Sequence, residues 1–222
     1  MRPRLLDLFC GGGGAGEGYR RAGFDVFGVD IRPQPRYPFA FVQADALEHL
    51  ALYGGAYDAV HASPPCQRYS KATRWRGDPA SHPDLVAAVR AALRESGRPF
   101  VIESVPGAAL QCPVVLCGSM FGLAVRRHRL FELSSVWALV PDCRHRPGDC
   151  SFDHGGKQTE SAYREAMGCG WMTVHEARQA VPPAYTRYIG LQLRKVLDNI
   201  SLDISGPGDE SWLVSEDGRS AR

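Results

Sequence analysis

The two features of this chain best suited to chemistry are a thiol on a stiff turn and a run of glycines. Cys66 sits in Pro64-Pro65-Cys66-Gln67, and Pro64 lies 50 residues beyond the end of Asp7-Leu8-Phe9-Cys10-Gly11-Gly12-Gly13-Gly14. A cysteine attacks only as thiolate, a form that neighbouring cations favour. Arg68, Lys71, Arg74 and Arg76 follow within ten residues, with Tyr69 and Trp75 among them and no acid. A loop so composed also suits a phosphate backbone and stacked bases. The alternative is a buried, inert cysteine before a solvated loop, since free cysteine is among the most buried residue types.

These residues need elements to hold them. Tyr57–Ala62 reads as a short buried strand that Pro64 and Pro65 end, because proline cannot donate to a sheet ladder. That places Cys66 at the carboxyl edge of an open sheet, where ligands bind. Short runs rich in Val, Phe and Ile recur at Leu5–Phe9, Val26–Val29, Phe39–Val42, Phe100–Ile102 and Val114–Leu116, separated by longer periodic stretches. This alternation predicts βαβ units and a doubly wound α/β sheet. The clearest helix is Pro83–Ser96, with Ser81 as N-cap, Leu85, Val89 and Leu93 on one face, and Gly97 at its end. Further helices are predicted over Glu160–Met167 and Ala184–Asp198, and Val125–Glu132 reads as one strand, which would turn Arg127 and Arg129 to the same side.

The glycines Gly11, Gly13 and Gly16 satisfy a dinucleotide-type fingerprint between a strand and a helix. Asp30 closes the next strand, where a carboxylate can take two ribose hydroxyls, and Asp45 follows the third, within reach of an adenine amino group. NAD, flavin adenine dinucleotide and S-adenosylmethionine all fit such an arrangement. Helix capping or a solvated strand end is the alternative for either acid.

With 222 residues and 44% hydrophobic content, the chain has room for one good core plus a small appendage. It has no apolar run approaching the roughly 18 residues that would span a bilayer. Met1-Arg2-Pro3-Arg4 enters a predicted strand directly, so the chain reads as intracellular and cytoplasmic. Seven cysteines without regular spacing argue for reduced thiols over a disulfide framework. Net charge is +2, divided as −3 over residues 199–222 and +5 over the rest. That is modest for a dedicated nucleic-acid-binding domain.

In chain order, the glycine turn, Ser63-Pro64-Pro65-Cys66-Gln67, Ile102-Glu103-Ser104-Val105, Arg127-His128-Arg129, and Gln179-Ala180-Val181-Pro182-Pro183 with Ile189-Gly190 resemble the ordered motifs of the DNA cytosine-5 methyltransferases. The likeness covers roughly residues 4–195. It is closest to the short members found in bacteriophages and their bacterial hosts, some of which serve restriction-modification.

The resemblance implies an S-adenosylmethionine-dependent, Rossmann-like fold and a set of roles. Cys66 would add to carbon 6 of cytosine, Glu103 would protonate ring nitrogen 3, and Arg127 and Arg129 would hold the base carbonyl and a phosphate. The cofactor would be bound by Asp7, Phe9, Gly11, Gly13, Asp30, Ile31, Asp45 and Pro65. DNA would be the partner. Ser104 stands where the family has asparagine, Val125 where glutamine is common, and Gln179 where an asparagine touches the cofactor.

The implied organisation is a catalytic core over 1–130, a reduced target-recognition region over 131–171, a completing helix over 172–198, and a tail over 199–222 expected to be disordered. Within the short recognition region, Cys143, His145, Cys150 and His154 form a Cys-x-His-x4-Cys-x3-His cluster of zinc-ligand types. Its first spacing is unusually tight, and no metal is assigned from it. So short a region implies that sequence selectivity is short or loose, or supplied by a separate specificity partner. Two other readings stay open: the same chemistry on RNA such as tRNA, and a catalytically weak cofactor-binding module that recognises DNA or a partner.

Overall fold

The computed structural model describes residues 1–69, 73, 75, 77–135, 140, 142–151 and 160–204. Its first half alternates as the apolar runs require. β1 (Arg4–Leu8) leads through the glycine turn into α1 (Gly14–Arg21), then β2 (Asp25–Asp30), β3 (Ala40–Gln43), α2 (Ala46–Tyr53), β4 (Ala59–Ala62), α3 (Val86–Glu95) and β5 (Phe100–Ser104). β6 (Val114–Leu116), β7 (Val125–Arg126), β8 (Arg129–Leu133) and β9 (Cys150–Ser151) follow. The chain then continues through α4 (Glu160–Met167), α5 (Val174–Gln179) and α6 (Pro183–Ile204).

Seven strands form one sheet in the order β3-β2-β1-β4-β5-β8-β6. The first five are mutually parallel, and β8 runs antiparallel between β5 and β6. Chain order reverses between β1 and β4, so their carboxyl ends border the crevice in which open α/β sheets bind ligands. Side chains alternate across each strand. Leu5 and Val101 therefore join Tyr19, Tyr185 and Ile189 beneath α1 and α6, while Leu6, Leu8 and Ile102 pack against Leu50 and Leu93 of α2 and α3. A side chain at Gly18 would overlap Thr186 Oγ1 and the Pro183 carbonyl, so glycine there lets α1 and α6 approach closely.

The structure differs from sequence expectation at four places. The predicted strand Val125–Glu132 is broken at residues 127 and 128: Val125 and Arg126 pair with Cys150 and Ser151 in a separate two-stranded ribbon, and only Arg129 onward joins the main sheet. The helix expected from Pro83 begins at Val86, and Ser81 instead ends a 3-10 turn, Pro79–Ser81. The last helix runs to Ile204, past the expected start of the tail at 199; residues 205–222 lie outside the described residues. Cys150 is on β9, and His154 of the sequence-derived cluster also lies outside the described residues. No described helix is long and apolar enough to cross a membrane.

Candidate active site

The glycine turn leaves β1 through a tight reversal in which Phe9 (φ 57°) and Gly11 (φ 49°) are both left-handed. A phenylalanine there is uncommon and costs roughly 1–3 kcal/mol. The turn is held by Cys10 N–H donating to Val29 O at 3.1 Å and Gly13 N–H donating to Cys10 O at 3.0 Å. Gly11 N–H donates to Asp30 Oδ2 at 3.0 Å, and Arg32 N–H to Asp30 Oδ1 at 2.9 Å. Each carboxylate oxygen still has a lone pair to offer. A side chain at Gly11 would meet nothing within 4 Å, so the turn is open on that side. Ile31, 66% exposed, follows directly. An open glycine, an oriented carboxylate and a bare aliphatic side chain together suit a nucleoside: hydroxyls on Asp30, a ring face on Ile31.

Not every residue expected at this cradle faces it. Asp7 is fully buried beneath α1, where Tyr37 Oη donates to its Oδ2 at 3.2 Å, and burial pushes its pKa up to about 8. Its carboxylate therefore lies beneath the turn and not on its open face. Gly13 caps α1 with its N–H already engaged, and its α-carbon faces Tyr37 and Pro38. Asp45 Oδ1 accepts from Leu47 N–H at 2.9 Å and Glu48 N–H at 3.0 Å, the capping role that its position had left open. Phe9 is half-buried and packs against the α2–α3 face.

Across the crevice, β4 ends at Ala62 and the chain passes through Ser63, Pro64 and half-buried Pro65 to Cys66, itself half-buried and free. On the adjoining strand, Glu103 is buried, and Arg129 Nε of β8 lies 2.9 Å from its Oε1. The contact is an ion pair without the alignment of a hydrogen bond. Burial raises the Glu103 pKa, and Arg129, Arg127 and a hydrogen bond with Ser63 oppose that rise. Burial also raises the Cys66 thiol, aided by the Glu103 charge and opposed by Arg129 and Arg127. The cations acting on the thiol are thus on the β7–β8 corner. In the loop after Cys66, Arg68 Nη1 donates to His82 O at 3.2 Å, and Lys71, Arg74 and Arg76 lie outside the described residues.

Arg127 and Arg129 do not face one way. Arg127 is buried, and its guanidinium donates to Arg178 O at 2.7 Å, Ala180 O at 2.8 Å and Tyr163 Oη at 3.2 Å. Tyr185 Oη in turn donates to Arg127 O at 2.5 Å. Each of its three guanidinium nitrogens makes a hydrogen bond, so Arg127 ties the corner to the C-terminal segment. Gln179 lies at the end of α5, 3.1 Å from His175 Nε2 through its Nε2. Ser104 Oγ is buried with no hydrogen-bond partner among the described residues.

Two contributors went unassigned in the sequence. His61 is fully buried, hydrogen-bonded to Tyr19 Oη at 3.0 Å and Ser63 Oγ at 2.9 Å, and burial pushes its pKa down to about 3. It is neutral and links α1 to the serine that bonds Glu103. A histidine within an apolar strand was the only available hint. Trp171 Nε1 donates to Gly12 O at 3.0 Å, joining the segment between α4 and α5 to the glycine turn.

No protein-family model matches the chain. Type II methyltransferase M.AgeI of Thalassovita gelatinovora is 31% identical over 120 residues, covering 47% of this chain and 28% of that protein, so this chain spans little more than a quarter of that relative. Among solved structures, the chain is similar to the S. pombe Dnmt2 methyltransferase, with TM-score 0.57 and 13% identity over 88% of this chain and 99% of that one. It is also similar to the Entamoeba histolytica methyltransferase EhMeth, with TM-score 0.56 and 11% identity over 93% and 100%. Both structural likenesses are likenesses of fold.

Proposed function

We propose that this chain, which is DNA C5-methyltransferase-like in family and has the Rossmann-like fold of S-adenosylmethionine-dependent methyltransferases, methylates carbon 5 of cytosine in DNA through a covalent bond to Cys66. The observation that carries the reading is the meeting of Cys66, Glu103 and Arg129 at adjoining strand ends, across the crevice from the open glycine turn.

Cytosine carbon 5 is a poor nucleophile. A thiolate bond from Cys66 to carbon 6 pushes the ring electrons toward carbon 5, while nitrogen 3 takes a proton. Glu103 is the donor in this scheme, because burial raises its carboxyl pKa and so favours the protonated form. Protonating Glu103 also removes the negative charge that disfavours the Cys66 thiolate. Proton on Glu103 and thiolate on Cys66 is therefore the reactive arrangement, and Arg129 beside both stabilises it. Asp30 and the open face of Gly11 would hold S-adenosylmethionine, which supplies the methyl group when bound. Loss of the carbon 5 proton to a base, elimination of Cys66 from carbon 6 and return of the nitrogen 3 proton to Glu103 restore the ring and the free enzyme.

Incubation with S-adenosylmethionine carrying a labelled methyl group, using duplex DNA and tRNA in parallel, followed by nucleoside mass spectrometry, tests this. Labelled 5-methylcytosine from DNA supports the reading. Label in tRNA alone would transfer the chemistry to RNA, and label on an exocyclic nitrogen would overturn the covalent route.

A further inference from the structure

Outside the crevice, the structure gathers four metal-ligating side chains from three separate segments. Cys117 follows β6, His128 sits in the break between β7 and β8, and Cys143 and His145 lie in a segment without helix or strand. Their Sγ and ring nitrogen atoms all lie within 4.8 Å of one another. Cys143 Sγ is 2.9 Å from His145 Nε2 and 3.4 Å from His128 Nε2, and Cys117 Sγ is 3.3 Å from His145 Nε2. We propose that Cys117, His128, Cys143 and His145 bind one zinc ion.

The geometry argues for an ion at the centre. Around tetrahedral zinc, with bonds of about 2.3 Å to sulfur and 2.0–2.1 Å to nitrogen, adjacent ligand atoms stand roughly 3.3–3.8 Å apart. Two of the three distances fall in that range, and a small side-chain rotation brings the 2.9 Å pair into it. Two thiolates with two imidazoles are a soft set that suits zinc over hard cations. Thiols are weak hydrogen-bonding groups, so converging two of them with two imidazoles gains little without a metal. An outer partner is also in place. Ser119 Oγ accepts Arg144 N–H at 3.1 Å, which leaves its proton directed at Cys143 Sγ, 3.4 Å away, as the hydroxyl beside a metal thiolate should be. Zinc binding would displace one proton from each thiol to solvent, leaving a neutral centre.

The site differs from the one the sequence suggested. Cys143 and His145 are shared, but Cys117 and His128 replace Cys150 and His154. The ion would clip the segment carrying Arg144 and Arg146 to the corner of the sheet. It would also hold His128, whose chain neighbours are the corner residue Arg127 and the Glu103 partner Arg129.

The test is metal analysis of tag-free protein purified under reducing conditions, with free thiols counted in parallel. One zinc per chain is expected. Cys143→Ser and His145→Ala, both at exposed positions, should each lose most of it, while Cys150→Ser and His154→Ala retain it. Cobalt substituted into the unaltered protein should give the visible band of a tetrahedral site and near-ultraviolet thiolate charge transfer, a readout that stands even if a variant fails to fold. Metal-free protein with all thiols reduced, a Cys117–Cys143 disulfide, or loss of zinc on His154→Ala would each overturn the assignment. None of these readouts depends on methylation, so this proposal and the enzymatic one fail separately.

Discussion

At the scale of single residues, two side chains with raised pKa values oppose each other. Cys66 and Glu103 each lie above their ordinary ranges through burial, and each charge disfavours the other. Replacing Glu103 with glutamine removes the anion next to the thiol. The pH midpoint for iodoacetamide alkylation of Cys66 should then fall, even as methyl transfer drops by about 10²–10⁴-fold, the usual worth of a positioned proton donor. Arg129→Ala should move the same midpoint upward. Shifts of one sign in both variants, or none, would show that these groups do not govern the thiol. Cys66 and Glu103 stand out in the sequence because one follows a strand and the other lies at the end of one, each in a recognisable motif. Arg127 was misplaced because a two-residue break cannot be read from a run of strand-forming residues, and the break is what sends its side chain to Arg178 and Ala180.

At the scale of elements, buried charge joins helices to sheet. Arg90 of α3 and Glu132 of β8 form a two-bonded ion pair at 2.7 Å, and Glu132 Oε2 also accepts Gln111 N–H at 2.7 Å. Glu132→Ala would strand a buried guanidinium and should cost about 3–5 kcal/mol in urea unfolding, whereas joint replacement of Arg90 and Glu132 by leucine should cost far less. An equal loss in both would mean that packing, not charge, is at stake. Asp7 beneath α1 has a different signature. Its pKa is near 8 in the fold against an ordinary 3.8, so between those values the folded chain holds a proton that the unfolded chain has released. Stability from this group therefore falls as pH rises from about 4 to 8. His61 acts in the opposite sense, adding stability as pH rises from about 3 to 6.5, which leaves pH 6.5–8 as the clear window for Asp7. Melting temperatures should separate in favour of Asp7→Asn across that window, and parallel curves would remove Asp7 from this role. The strands themselves were legible from their apolar runs, several to within one residue. Tyr37, which meets Asp7 across 30 positions, carries no local signal.

At the scale of the whole molecule, the stretch proposed to read bases is short. About forty residues separate Leu130 from Trp171, and each bidentate contact to a base contributes only about 1–3 kcal/mol of discrimination. Binding should lean on phosphates, with exposed Arg144 and Arg146 among the donors, and weaken steeply with salt. Bisulfite sequencing of methylated random duplexes should reveal a context of roughly two to four bases, set by how few such contacts this length can hold. A strict six-base palindrome would contradict that expectation. The reach of the sequence is also clearest at this scale. Ordered motifs exposed the crevice, whereas the metal-type cluster stayed hidden because Cys117 and His128 come from segments that only the fold brings to Cys143. The central claim remains the covalent one, and duplex DNA carrying 5-fluorocytosine addresses it most directly, because fluorine cannot leave carbon 5 as a proton does. In the presence of S-adenosylmethionine, the unaltered protein should form a denaturation-resistant adduct mapping to Cys66, and Cys66→Ser should form none. An adduct that survives Cys66→Ser, or methyl transfer by the unaltered protein without any trapped species, would contradict it.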